Sequence, residues 1–340
     1  MRAHLLLLSA LLLLACQNQQ SKVSKAGTPQ NEFGVPQYAE VQTGGVKLIQ
    51  VDGKYNVWTK KVGDGEIKVL LLHGGPGFGH EYLECFESFL PQAGIEMYQY
   101  AQPGNFNSDQ PNDPSLWTVD RYREEVEQVR QSLGLENFYL VGQSWGGMLG
   151  MEYALKYQQH LKGLVISNMT ASIPSYVKYA NELRAKFPAD LVAKMDEYEK
   201  AGKYDAAEYQ DIIFKVLYAQ HICRLDPWPD PVMRSLKHFN TQIYNTMQGP
   251  NEFVITGNFK DWDVWDKLST LQVPTLVTGG KFDTMSLDDK RRMASLIPNS
   301  RLLICEGSHL SMYDDQQNYF NGLIKFIKEV HGGNFKKSTS

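Results

Sequence analysis

The sequence predicts an α/β fold: a mostly parallel, eight-stranded sheet with helices on both faces, interrupted by a helical insertion. Three observations carry that expectation. From residue 45 to 168, short apolar runs alternate with helical patterns, the rhythm of strands joined by crossover helices. Runs such as "IKVLLLHG" are continuously apolar, as strands buried on both faces are. The alternation then stops at Ala171, gives way to a Tyr- and Lys-rich helical segment as far as Trp265, and resumes at "VPTLVTGG".

The elements follow in order. "VKLIQV" and "KYNVWTK" are split by the turn residues Asp52 and Gly53 and read as an antiparallel pair. "IKVLLLHG" is the next strand, followed by a helical stretch over Tyr82–Leu90 and the strand "IEMYQYA". Thr118 or Asp120 caps a helix through "RYREEVEQVRQSLG", which Gly134 ends. The strand "NFYLVGQS", a helix from Gly146 to Tyr157 and the strand "LKGLVISN" complete the first half. After the insertion come "VPTLVTGG", a helix over Leu287–Leu296, the strand "SRLLICEG" and a helix over Asp315–Val330. The core is thus expected over 36–170 and 266–332 and the helical cap over 171–265, with the tail "GGNFKKSTS" frayed.

With 34 basic and 38 acidic residues in 340, the net charge is −4, which argues against a nucleic-acid partner. The start is distinct. "MRAHLLLLSALLLLAC" combines a basic residue, a leucine run too short to span a bilayer, and a small residue before Cys16, the pattern of a secretory leader. "LLAC" resembles a bacterial lipobox, which implies a lipid-modified Cys16, a polar tether over 17–35 and a protein anchored to a membrane of the bacterial cell envelope. Cys85, Cys223 and Cys305 are scattered and read as buried small apolar residues. No metal-ligand spacing or phosphate-cradling loop stands out, so no cofactor is expected.

The chemistry concentrates at strand ends. "VGQSWGG" holds G-x-S-x-G between a strand and a helix, where Gly142 and Gly146 make room for a strained turn that exposes the Ser144 hydroxyl. A serine nucleophile needs a base, and the base needs an acid to orient it, in the chain order Ser, acid, His. Asp283 follows the strand "PTLVTGG" and His309 follows "RLLICEG", so both reach the sheet edge that carries Ser144. Asp288 and Asp289 read instead as first-turn residues of the next helix. "HGGPG", after the third strand, supplies the main-chain donor at Gly75 that pairs with the N–H of Trp145 to hold an oxyanion. Losing one such donor costs on the order of 10²–10³ in rate, which accounts for glycines that folding alone would not favour. His73 reads as a structural hydrogen-bonding residue.

Together "HGGPG", "GQSWGG", "GPNEF" and "GSHLSMYDD" resemble a proline iminopeptidase, a serine aminopeptidase of the α/β-hydrolase superfamily, over residues 37–330. The resemblance implies release of an N-terminal residue, preferably proline, from short peptides with a free N-terminus through an acyl-enzyme on Ser144. The alternative is an amino-acid amidase or esterase of the same fold. It also implies cap carboxylates for the substrate ammonium, Glu252 in "QGPNEFVITG" and Asp226 in "CRLDPWPDP". Trp145, Tyr218, Trp228 and Tyr244 are candidates for a slot around the pyrrolidine ring. The chain departs from the family where "YAQPG" carries Ala101 in place of an aspartate, at a position expected to border the site.

Overall fold

Eight runs rich in β-branched, leucine and aromatic residues pair into one sheet in a computed structural model that describes residues 44–337. Cys16, the leader and the tether lie outside the described residues. The strands are β1 (Val46–Val51), β2 (Tyr55–Val62), β3 (Ile67–Leu72), β4 (Ile95–Tyr100), β5 (Phe138–Gln143), β6 (Leu161–Ser167), β7 (Thr275–Gly280) and β8 (Ser300–Cys305). Their order is β1-β2-β4-β3-β5-β6-β7-β8. β1 and β2 are antiparallel, as is β2 against β4, and every other pairing is parallel. Every residue of β4, β5 and β7 is buried, the polar Glu96 and Gln99 of β4 included, as in strands covered on both faces.

Helix α1 (Val119–Leu133) starts where Thr118 accepts the Arg121 N–H at 3.3 Å and stops at Gly134, whose φ of 64° is left-handed. Helix α2 (Trp145–Tyr157) packs on β5 and β6. The Tyr82–Leu90 stretch forms a 3₁₀ helix over Glu81–Ser88 instead of an α-helix. Its aromatic and apolar side chains are buried almost consecutively, at Tyr82, Leu83, Cys85 and Phe86, and no side chain caps its start.

The inserted segment is helical as far as Met247 and then runs through turns and isolated bridges to Val264. It runs through α3 (Ile173–Arg184), α4 (Ala189–Lys200) and α5 (Ala207–Ile212), which continues through a π turn to His221. Helices α6 (Asp230–Lys237) and α7 (Thr241–Met247) follow. Its two ends meet at a bridge between Ser172 and Asp263, with the Ile173 N–H donating to Trp262 O and the Val264 N–H to Ala171 O, both at 2.9 Å. The chain then returns to β7, α8 (Leu287–Leu296), β8 and, after a short turn, α9 (Gln316–His331).

The tail does not fray where it is described. Phe335 sits edge-on against Phe326 at 5.5 Å and Arg301 donates to Lys336 O at 3.1 Å, so one aromatic ring docks the segment on α9. Cys85, Cys223 and Cys305 are buried and free, with burial pushing their thiols up to about 12, 11 and 12.

Candidate active site

Ser144 sits between β5 and α2 at φ 55° and ψ −124°, a backbone conformation that costs a non-glycine residue roughly 1–3 kcal/mol. The flanking glycines permit it by lack of bulk. A Cβ on Gly142 would fall 2.0 Å from Gly146 O, and one on Gly146 would fall 2.1 Å from Leu72 O. The turn is tied down by the Ser144 N–H donating to Ser167 O at 2.9 Å and by the Gly147 N–H donating back to Ser144 O at 2.7 Å. Ser144 and His309 line one cavity of about 390 Å³.

His309 and Asp283 meet as the loop positions foretold. His309 Nδ1 lies 2.7 Å from Asp283 Oδ1, with both side chains buried. Nδ1–H therefore donates to the carboxylate and Nε2 is left as the proton acceptor. Burial alone would raise the Asp283 carboxyl, but His309, buried Lys290 and Asn168 hold it below the ordinary range. Burial alone would lower His309, and the charges of Asp283 and Glu252 reverse this, so the imidazole titrates above its usual value.

Asn168 is a residue that the sequence reading missed. It follows β6 at φ 51°, a left-handed conformation that asparagine tolerates, and its Nδ2 donates to Asp283 Oδ2 at 2.9 Å and to Ser308 O at 3.1 Å. One amide thus ties the acid's loop to the base's loop. Its signal was the "ISN" ending of a strand at the active edge.

The glycine loop closes the other side. The Gly74 N–H donates to Tyr82 OH at 2.6 Å, Tyr82 donates to Gln143 Oε1 at 2.7 Å, and Gln143 Nε2 donates to His309 O at 3.2 Å. Gly74 is thereby spent, and a Cβ there would lie 3.2 Å from Ser144 Cβ. Gly75, at φ 114°, lines the cavity, and its N–H donates to no protein acceptor among the described residues. Trp145 opens α2, where a helix has unsatisfied N–H groups. The Trp145 ring does not reach the cavity: it is buried, donates to Gln102 Oε1 at 3.0 Å and stacks on Phe259. His73 is structural, with Nδ1–H donating to Gly74 O and Nε2 accepting the Gln102 N–H, and burial pushes it down to about 4. Ala101 is fully buried and does not line the cavity, so the position does not border the site as the sequence suggested.

The two cap carboxylates separate clearly. Glu252 faces the cavity with Tyr244 OH 2.5 Å from Oε1 and Tyr176 OH 2.5 Å from Oε2, while the Glu252 N–H donates to Tyr218 OH at 3.2 Å. Tyr176 also went unread in the sequence. Burial and the Glu252 charge push Tyr176 and Tyr244 well above the ordinary phenol value, so both remain hydroxyl donors. Each carboxylate oxygen keeps a second lone-pair direction for a cation. Asp226 is exposed and absent from the cavity wall, which corrects its assignment to the ammonium: in solvent its charge is screened. Tyr218, Trp228 and Tyr244 line the cavity.

An α/β-hydrolase fold family matches residues 68–316. A proline iminopeptidase of Flavobacterium johnsoniae is 47% identical over 284 residues, 82% of this chain and 96% of that protein. The proline iminopeptidase of Elizabethkingia meningoseptica is also 47% identical, over 83% of this chain and 97% of its own. The chain belongs to the proline iminopeptidase family of α/β hydrolases. Among solved structures, that of VinJ superposes with a TM-score of 0.80 at 32% identity, covering 84% of this chain and 98% of that one. Proline iminopeptidase of Mycobacterium smegmatis superposes at 0.77 and 28%, with the same coverage. Membership makes the chain a serine hydrolase of the aminopeptidase kind, and one cavity is lined by Ser144, His309 and Glu252.

Proposed function

We propose that this enzyme removes an N-terminal proline from peptides, with Ser144 as nucleophile, His309 as base and Asp283 as the acid that orients it. The carrying observation is Glu252, a carboxylate on the wall of the cavity that also holds Ser144 and His309. A substrate whose ammonium pairs with Glu252 has its first carbonyl directed toward Ser144, which is how an exopeptidase counts one residue from the end. Ser144 Oγ attacks that carbonyl while its proton passes to His309 Nε2. The oxyanion is held by the N–H groups of Gly75 and Trp145, and the proton then goes to the departing amine. Water, activated by the same imidazole, hydrolyses the prolyl ester and frees Ser144.

An N-blocked substrate separates this reading from that of a general amidase or esterase. Prolyl 4-nitroanilide should be cleaved and its N-acetyl form should resist. Glu252→Ala should lower kcat/KM for the free amine by roughly 30–5000-fold, the rate equivalent of about 2–5 kcal/mol for truncating one partner of a sequestered charge pair. Equal turnover of free and blocked substrates would overturn the assignment.

The same proposal extends to residues 1–16 as a leader and Cys16 as a lipid acceptor, placing the enzyme on a membrane of the bacterial cell envelope. The support is the pattern "LLAC" behind a short leucine run. Cys16→Ala should move the protein from the membrane fraction to the soluble one, and an unchanged distribution would refute the anchor.

A further inference from the structure

The cavity's charge inventory bears on what can follow the proline. Among the described residues that line it, only Glu252 and His309 carry or can take a charge near neutral pH, and none is lysine or arginine. The rest of the wall is largely apolar, with Phe78, Ile213, Trp228, Val232, Leu236 and Phe239 from the glycine loop and the cap. Among cap cations close in sequence, Lys215 is paired with Asp211 at 2.8 Å, Lys237 is exposed, and two arginines are committed elsewhere. Arg234 is bonded to Glu84 and Asp230, and Arg224 lies over the Phe282 ring at 3.7 Å. Lys186 and Lys281 border a second cavity, which shares no lining residue with the first.

A dipeptide acid carries its carboxylate one residue beyond the scissile bond, roughly 3.5 Å of chain. Whichever direction the leaving group takes inside the cavity, that carboxylate meets no lysine or arginine among the described wall residues and sheds water against apolar side chains. An amide in the same place is neutral, and a longer peptide carries its terminal charge outward toward solvent. We infer that the enzyme selects against a free carboxylate on the residue after proline, so its substrates are prolyl amides and longer peptides with an apolar second residue. The inference rests on the prolyl-aminopeptidase reading and narrows the substrate class of the same site.

The test compares kcat/KM of the full chain for Pro-Phe amide, Pro-Phe acid and Pro-Phe-Gly-Gly acid, with prolyl 4-nitroanilide as control. The amide is expected to exceed the dipeptide acid by about tenfold or more, and the tetrapeptide acid to recover most of the difference. A dipeptide acid cleaved as fast as its amide, or a tetrapeptide acid as poor as the dipeptide acid, would overturn the inference. Loss of activity on the control would instead strike the underlying functional reading, so the two failures are distinguishable.

Discussion

The turn at Ser144 and the surroundings of Glu252, the proposed nucleophile and ammonium sites, face the same cavity and are built on opposite principles. Around Ser144 the fit is main chain against main chain: Gly142, Gly146 and Leu72 approach so closely that a single methyl group would collide with a carbonyl oxygen. Around Glu252 the fit is made by side chains, with tyrosine hydroxyls from α3, the π turn and α7 converging on one residue. Backbone contacts are all-or-none, because a peptide group cannot give way without moving its strand. Hydroxyl contacts are graded, each worth about 1 kcal/mol, or somewhat more toward a charge.

The largest effect that sharpens this comparison is Ser144→Ala, expected to lower kcat on the order of 10⁴–10⁶-fold while the fold and substrate binding survive. Retention of turnover would remove the nucleophile from Ser144. Next is Gly142→Ala, whose Cβ would lie 2.0 Å from Gly146 O. Because displacement of about 1 Å at a reacting centre costs around 10²-fold, activity should fall by at least that much, together with Tm. A near-normal Gly142→Ala enzyme would break the contrast drawn above. Tyr244→Phe should cost only about fivefold in kcat/KM, mainly through KM, the kinetic equivalent of one lost hydrogen bond. If it is as damaging as Gly142→Ala, the ammonium site is as unforgiving as the turn.

The smallest effect is a shift in pH dependence. His309 must be neutral to accept the serine proton, and Asp283 and Glu252 hold its pKa above 6.5. Activity should therefore fall on acidification through a limb lying above that value. Glu252→Gln removes one of the charges that favour the imidazolium and should move the limb downward, measured as kcat against pH. A limb that stays in place would mean that the cap carboxylate does not act on the base. The same sign applies to stability: with its native pKa raised, His309 adds stability below its unfolded pKa, and that contribution fades as pH rises through the native value.

Much of the catalytic centre was legible because strand ends and loop glycines are local features. Ser144, Asp283 and His309 each follow an apolar run that announces its own strand, and a parallel sheet brings such ends to one edge whatever the loops contain. The Gly75 and Trp145 N–H groups are readable as candidate oxyanion donors for the same reason, since the proposed role belongs to the main chain. Asn168 was harder, because nothing beside it in the chain shows that its amide will meet Asp283, 115 positions away.

The sequence by itself determined the order of strands and helices along the chain and placed Ser144, Asp283 and His309 at strand ends on one sheet edge, and it offered both Glu252 and Asp226 as cap acids. Only the tertiary structure decided between the two cap carboxylates, turning Asp226 to solvent and enclosing Glu252 among tyrosines. It likewise buried the Trp145 ring and Ala101 away from the cavity and docked Phe335 on the last helix. The physical reason is one of range. Periodicity, turn residues and glycine spacing act over a few residues and are written in the chain. The burial of a charge depends on which surfaces distant helices present to it, and no local pattern specifies that.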